Sequence, residues 1–170
     1  MNGDLNYEYR TGIGTDIHRL VEGRELKLGG ILVPFEKGLQ AHSDGDAALH
    51  ALIDAILGAA GLGDIGILFP DTDPQFKNID SKELVLKVKS YIADKGWEVV
   101  NADIIITAEE PKLGPYKTQM KRCIASLLGT DFLNVNIKAK TNEGLGDVGA
   151  GLAISAIATV LLRRRIKRTL

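Results

Sequence analysis

Residues 41–61, AHSDGDAALHALIDAILGAAG, decide how the rest of the chain is read. Leu49, Ile53, Ile56, Leu57 and Ala60 recur at steps of three and four, the period of a helix with one apolar stripe. Ser43 and Asp46 stand three apart ahead of that run, as in a capping box, and Gly61 offers a left-handed stop. A helix is therefore expected from about Asp44 to Ala60. Asp46, His50 and Asp54 fall at i, i+4 and i+8, so they share one side, away from the stripe.

Upstream, TDIHRL (15–20) alternates polar and apolar residues within a strand expected over 9–20. Asp16 and His18 then share a face. If the polar side of the helix meets that face, Asp16, His18 and His50 converge. Two imidazoles and one carboxylate form a known catalytic zinc set with an open fourth position. The residues alone leave a plainer reading beside it: a D-x-H pair and a helix histidine satisfied by ordinary hydrogen bonds. Asp46 reads first as a helix cap. Asp54 either orients a ligand histidine or is solvated.

Further out, RELKLGGILVP (24–34) reads as a hairpin turning at Gly29-Gly30. FPDTDPQF (69–76) reads as a Pro-punctuated loop, in which Asp71 and Asp73 serve the turns or the ligand. Asp80 and Glu83 open a helix running to about Lys95, with Leu84, Val88, Tyr91 and Ile92 on its stripe. A strand is expected over 97–108. Pro115 sits in the first turn of a helix that Gly129 ends. NVNIKAKT (134–141) alternates as a strand, with Lys138 solvated. The apolar run Leu152–Leu162 is shorter than the roughly 20 residues a bilayer needs. It reads as a buried last helix reaching about Arg165. The order is βββ-α-α-β-α-β-α. That predicts one α+β domain over residues 1–170, with one mixed β-sheet covered by helices on one side. Residues 1–8 read as an N-terminal extension and 166–170 as a basic tail.

Composition narrows the function classes. The 170 residues are 45% apolar and 25% charged, ordinary globular values, and the net charge of −1 gives no footprint for nucleic acid. Cys123, the single cysteine, excludes an internal disulfide and a cysteine zinc site and suits a reducing compartment. MNGDLNYEYR lacks the apolar core of a signal peptide. The expectation is a bacterial cytoplasmic protein without membrane partners, or else a processed plastid form.

TDIHRL, residues 38–74 (GLQAHSDGDAALHALIDAILGAAGLGDIGILFPDTDP), AEEPKLGPY (108–116) and VNIKAKTNEGLG (135–146) together resemble the 2-C-methyl-D-erythritol 2,4-cyclodiphosphate synthases, from about Gly12 to Leu162. The resemblance implies a homotrimer assembled around its sheets, with active sites between subunits. It implies a phosphorus–oxygen lyase of non-mevalonate isoprenoid synthesis. The reaction converts 4-diphosphocytidyl-2-C-methyl-D-erythritol 2-phosphate to the 2,4-cyclodiphosphate and releases CMP. Asp16, His18 and His50 match zinc ligands, with Ile17 between them at the substrate. His42 and Ser43 match the loop at the substrate's phosphate end. Asp64, Ile65 and Gly66 match the turn that holds the methylerythritol hydroxyls. Phe69, Pro70, Asp71, Thr72 and Asp73 match the mobile loop above them. The cytidine pocket, given by a neighbouring subunit, matches Ala108, Glu109 and Glu110, then Pro111, Lys112, Leu113 and Gly114, though Lys112 also reads as a solvated loop charge. Lys140, Thr141, Asn142 and Glu143 match the diphosphate segment, and Glu143 holds a second divalent ion, magnesium or manganese. His42 and Thr141 are the implied catalytic hydrogen-bond donors.

The implied chemistry suits these residue types. A phosphate monoester, with a second pKa of about 6, is its own nucleophile. The obstacle is repulsion, about 4 kcal/mol per unit-charge pair at ~4 Å and an effective dielectric of ~20. Cations are the natural remedy. A metal-dependent phosphohydrolase on the same scaffold is the rival reading, and a non-catalytic metal- or nucleotide-binding trimer a third. Lys140 and Asn142 stand where many members have threonine. Asp147, Ala150 and Leu152 replace an aromatic residue, an arginine and a glutamate beside the trimer axis. That implies no isoprenoid diphosphate binds there.

Overall fold

The computed structural model describes residues 6–166. Sixteen residues, Tyr7–Glu22, form β1. Leu26–Leu28 (β2) and Ile31–Val33 (β3) make the expected hairpin, and Lys37–Leu39 (β4) adds a short strand that the sequence reading did not anticipate. Then come Ala47–Ala60 (α1), Ile65–Leu68 (α2), Ser81–Ala93 (α3), Trp97–Thr107 (β5), Lys117–Leu128 (α4), Val135–Lys140 (β6), Gly146–Gly149 (α5) and Ala153–Arg165 (β7). The main sheet runs β4-β1-β7-β5-β6; β5 and β6 are parallel and the other pairs antiparallel. Helices α1, α3 and α4 pack on one face, giving the expected α+β domain with a mixed sheet.

The expected last helix is a strand. In β7 the inward side chains Ile154, Ala156, Ala158, Val160 and Leu162 are buried, in strict period two. Ile157 and Leu161 face outward, and these apolar residues erase the alternation that marks a half-buried strand. Two smaller expectations also change. The stretch 65–68 is helical, capped by Asp64, whose side chain accepts from the Ile67 N–H. Tyr7 and Glu8, expected in an extension, belong to β1. Residues 1–5 of that extension and 167–170 of the basic tail lie outside the described residues.

Helix α1 starts at Ala47, not Asp44, because Gly45 sits at φ 80° and breaks the chain direction before it. Asp46 is the N-cap and accepts from the Leu49 N–H at 3.0 Å. The helix is apolar almost all round rather than along one stripe, as befits a central element. It lies directly on β1. A Cβ at Gly12 would meet the Ala55 carbonyl at 2.0 Å, and one at Gly14 the Ala51 carbonyl at 2.1 Å. Bare glycine on the strand and alanine every fourth residue on the helix (Ala51, Ala55, Ala59) permit backbone contact. That contact sets the distance from Asp16 and His18 to His50.

Candidate metal centre and active site

Asp16 and His18 point inward from β1 on the row of Gly12 and Gly14, and His50 stands one helical residue before Ala51. Asp16 Oδ2 lies 2.9 Å from His18 Nε2 and 3.0 Å from His50 Nδ1, and the two ring nitrogens are 3.0 Å apart. Both rings can donate to the Asp16 carboxylate, but the 3.0 Å approach of the two ring nitrogens then sets two N–H groups against each other. A cation can satisfy all three atoms, since ligands at ~2.0 Å around tetrahedral zinc sit about 3.3 Å apart. The donor set fits a divalent metal, its 2.9–3.0 Å edges slightly shorter than that spacing. Among the described residues it is the cluster with metal-ligand geometry.

The electrostatics agree with the geometry. Burial opposes the charge on Asp16, but hydrogen bonds from His18 and His50 outweigh it and hold the carboxyl well below the usual carboxylate range. Burial likewise opposes a charged His50 ring, yet the Asp16 carboxylate wins and raises its pKa.

Two polar neighbours of the trio are Ser43, an expected site residue, and Ser81, which sequence reasoning missed. His50 Nε2 lies 2.9 Å from Ser81 Oγ and 3.1 Å from Ser43 Oγ. Asp54 makes no hydrogen bond to a ligand histidine and lines the cavity. Its Oδ1 accepts from the Ile65 N–H at 2.7 Å and ties α2 to α1. Burial pushes the Asp54 carboxyl up, against the Ile65 N–H. Asp46 does more than cap: it is fully buried and also accepts from Gly29 N–H (2.9 Å) and Gly30 N–H (2.7 Å). It thereby pins the hairpin turn to the helix start, and burial raises its pKa. Gly12-x-Gly14 opposite the alanines was a readable signal; nothing in the sequence marks Ser81.

The trio opens on a cavity of about 440 Å³. Of the expected site residues, Asp16, His18, His42, Ser43, His50, Ile65, Gly66, Phe69, Pro70 and Asp71 line it. Phe69 packs edge-on against Phe76, 5.3 Å between ring centres, to form part of its wall. Ile17 faces the other side of the sheet, 57% exposed. Asp64 and Asp73 act locally as caps, and Asp71 and Thr72 form an exposed turn.

The remaining expected residues gather elsewhere. Ala108 N–H donates to the Lys140 carbonyl, and Asn142 N–H to Glu109 Oε2 at 3.0 Å, so segments 108–114 and 140–143 sit together past the ends of β5 and β6. Thr141 Oγ1 donates to Glu143 Oε1 at 2.7 Å, and Glu143 holds φ at 52°. Lys138, expected to be solvated, pairs with Asp103 at 2.6 Å. Ile17, Ser155, Thr107 and Lys140 form one row across β1, β7, β5 and β6. Three strand steps put the second group about 14 Å across the sheet from the trio.

A divalent-metal donor set at the mouth of a cavity, carried by one helix on a mixed sheet, is the layout of an enzyme site. A family model described as the YgbB family matches residues 9–163. Relatives named 2-C-methyl-D-erythritol 2,4-cyclodiphosphate synthase include one from Neisseria gonorrhoeae, 54% identical over 155 residues, covering 91% of this chain and 97% of that protein. Another, from Desulfatibacillum aliphaticivorans, is 52% identical over 153 residues, covering 90% and 99%. A solved 2C-methyl-D-erythritol-2,4-cyclodiphosphate synthase in its CDP-bound form superposes with a TM-score of 0.83 at 42% identity, over 90% of this chain and 99% of that one. The chain belongs to the YgbB family and is an enzyme, a synthase of that family.

Proposed function

We propose that this enzyme converts 4-diphosphocytidyl-2-C-methyl-D-erythritol 2-phosphate to 2-C-methyl-D-erythritol 2,4-cyclodiphosphate and releases CMP, as a phosphorus–oxygen lyase of the bacterial cytoplasm. The observation that carries this reading is the 2.9–3.0 Å triangle of Asp16, His18 and His50 at the cavity mouth. The names of the relatives and the CDP in a solved one supply the substrate class.

The 2-phosphate oxygen attacks the β-phosphorus, the bond from that phosphorus to the CMP oxygen breaks, and CMP carries away the electron pair. Asp16, His18 and His50 would hold zinc, which would supply positive charge against the substrate's phosphate. Glu143, exposed, would hold a magnesium or manganese ion, which would supply positive charge against the diphosphate. His42, exposed at the cavity rim, donates to a phosphoryl oxygen, and the Thr141 hydroxyl does so at the diphosphate. Gly66 and Ile65 present backbone to the sugar-alcohol hydroxyls, while Phe69–Asp73 cover them and exclude water. Segment 108–114 takes the cytidine. Alignment of two groups on one substrate supplies about 7–11 kcal/mol in well-oriented intramolecular reactions.

Both half-sites act in one reaction only if neighbouring copies bring them together. A homotrimer does so: each chain's trio meets the 108–114 and 140–143 segments of the next in a closed head-to-tail ring. Ile13, Ile17 and Ile157, 66%, 57% and 41% exposed on the face without helices, are the surface such a ring buries. Incubation with the diphosphocytidyl substrate, followed by 31P NMR, tests the reading. A cyclic diphosphate plus CMP is expected; a linear phosphate product means hydrolysis and overturns it.

A further inference from the structure

Within the proposed metal centre, we infer that Asp44 and Ser81 are positioning residues that fix which nitrogen of His50 is free to hold the metal. The inference rests on the reading of Asp16, His18 and His50 as ligands. It goes beyond them to a relay of three side chains from three parts of the chain.

The Ser81 hydroxyl has one proton and two close partners. One is Asp44 Oδ1, a carboxylate oxygen that only accepts; the other is His50 Nε2 at 2.9 Å. The proton goes to Asp44, so Ser81 Oγ presents a lone pair to His50. With a cation on Nδ1, His50 Nε2 carries the hydrogen and donates it to Ser81 Oγ, and the Nδ1 lone pair points to where Asp16 and His18 also converge. Ser43 Oγ, 3.1 Å from the same Nε2 and accepting from the Gly45 N–H, has a second lone pair that can share this hydrogen.

Asp44 is itself held on several sides. Its Oδ2 accepts from the Ser81 N–H at 3.2 Å, and Lys27 Nζ lies 3.5 Å from Oδ2 and 3.5 Å from Asp80 Oδ2. The Ser81 side chain is fully buried and Asp44 is mostly so, hence water does not compete for these bonds. A carboxylate acting through a hydroxyl on the far nitrogen of a ligand histidine orients the ring and raises its basicity, an arrangement commonly worth 10- to 100-fold in metal affinity.

The test uses the full chain, with zinc as the probe. In zinc-loaded wild type, 15N NMR of the histidine rings is expected to show His50 bound through Nδ1 with its hydrogen on Nε2. Ser81→Ala weakens zinc binding by about 10- to 100-fold. Asp44→Asn, which retains an acceptor oxygen for Ser81, gives a smaller loss. A thermal melt of each metal-free variant separates misfolding from the relay, because a merely structural role lowers the melting temperature and leaves zinc affinity as in wild type. Zinc bound through His50 Nε2 in wild type, or zinc affinity in Ser81→Ala within twofold of wild type, overturns the inference. Zinc binding that depends on Ser81 in a protein forming no cyclic product refutes the proposed reaction and leaves this relay standing.

Discussion

Around Asp16, His18 and His50, buried polar atoms find partners within the chain, and backbone meets backbone at Gly12 and Gly14. Across the sheet, residues 142–147 are exposed, and Glu143 has one side-chain hydrogen bond, from Thr141. The first half of the site is therefore built by the fold of a single chain. The second is an exposed loop held by Glu109. The difference predicts that damage to the first half destroys both structure and metal binding, while damage to the second leaves the fold and the zinc intact.

The largest effect expected is from Gly14→Ala. The new Cβ would meet helix backbone at 2.1 Å, which no rotamer change relieves. A loss of about 3 kcal/mol or more, at the upper end for overpacking, is expected in denaturant melts, together with loss of zinc. A variant of normal stability and zinc content would break the contrast between the halves.

Ile13→Asp acts on the exposed face. The monomer fold should change by no more than about 0.5 kcal/mol, since Ile13 is 66% exposed. Sedimentation should show monomers in place of trimers, and activity should vanish although zinc remains. An active monomer would mean that one chain holds a whole site.

Glu143→Gln should lower kcat by about 10²–10³-fold, the scale of removing one charge-stabilising group. Melting and zinc stoichiometry should be unchanged. If zinc were lost as well, the two halves would not be independent.

The smallest effect is a pH slope. In metal-free protein the His50 pKa is raised by Asp16, so its proton competes with the metal already above the ordinary pKa of ~6.5. Zinc affinity should fall as pH drops through that raised value, by about tenfold per pH unit for one competing proton. Asp16, held low, adds no slope until far more acidic pH. Isothermal titration between pH 8 and 6 reads this directly, and a flat profile would contradict the pairing.

How far the sequence could be read follows the same divide. Asp16, His18 and His50 were legible because strand and helix periods set their faces, and the hairpin because Gly29-Gly30 permits its turn. That strand and helix touch was written in Gly12, Gly14 and the alanine repeat, a pattern meaningful only once both elements are packed. Ser81 carried no signal, since its role depends on α3 folding back to the start of α1. The β7 error had a different cause. Ile157 and Leu161 are apolar on the outward face, so the strand's alternation was hidden and the run read as a buried helix. The separation of the two half-sites depends on strand order, which periodicity does not encode.

The central claim is that Asp16, His18 and His50 hold one zinc ion with a position left for phosphate. Anomalous scattering measured on either side of the zinc edge, from crystals grown with zinc, tests it most directly. One peak per chain is predicted, touching Asp16 Oδ2, His18 Nε2 and His50 Nδ1, with no fourth protein atom in contact. No peak there, or a fourth side chain closing the site, would contradict it.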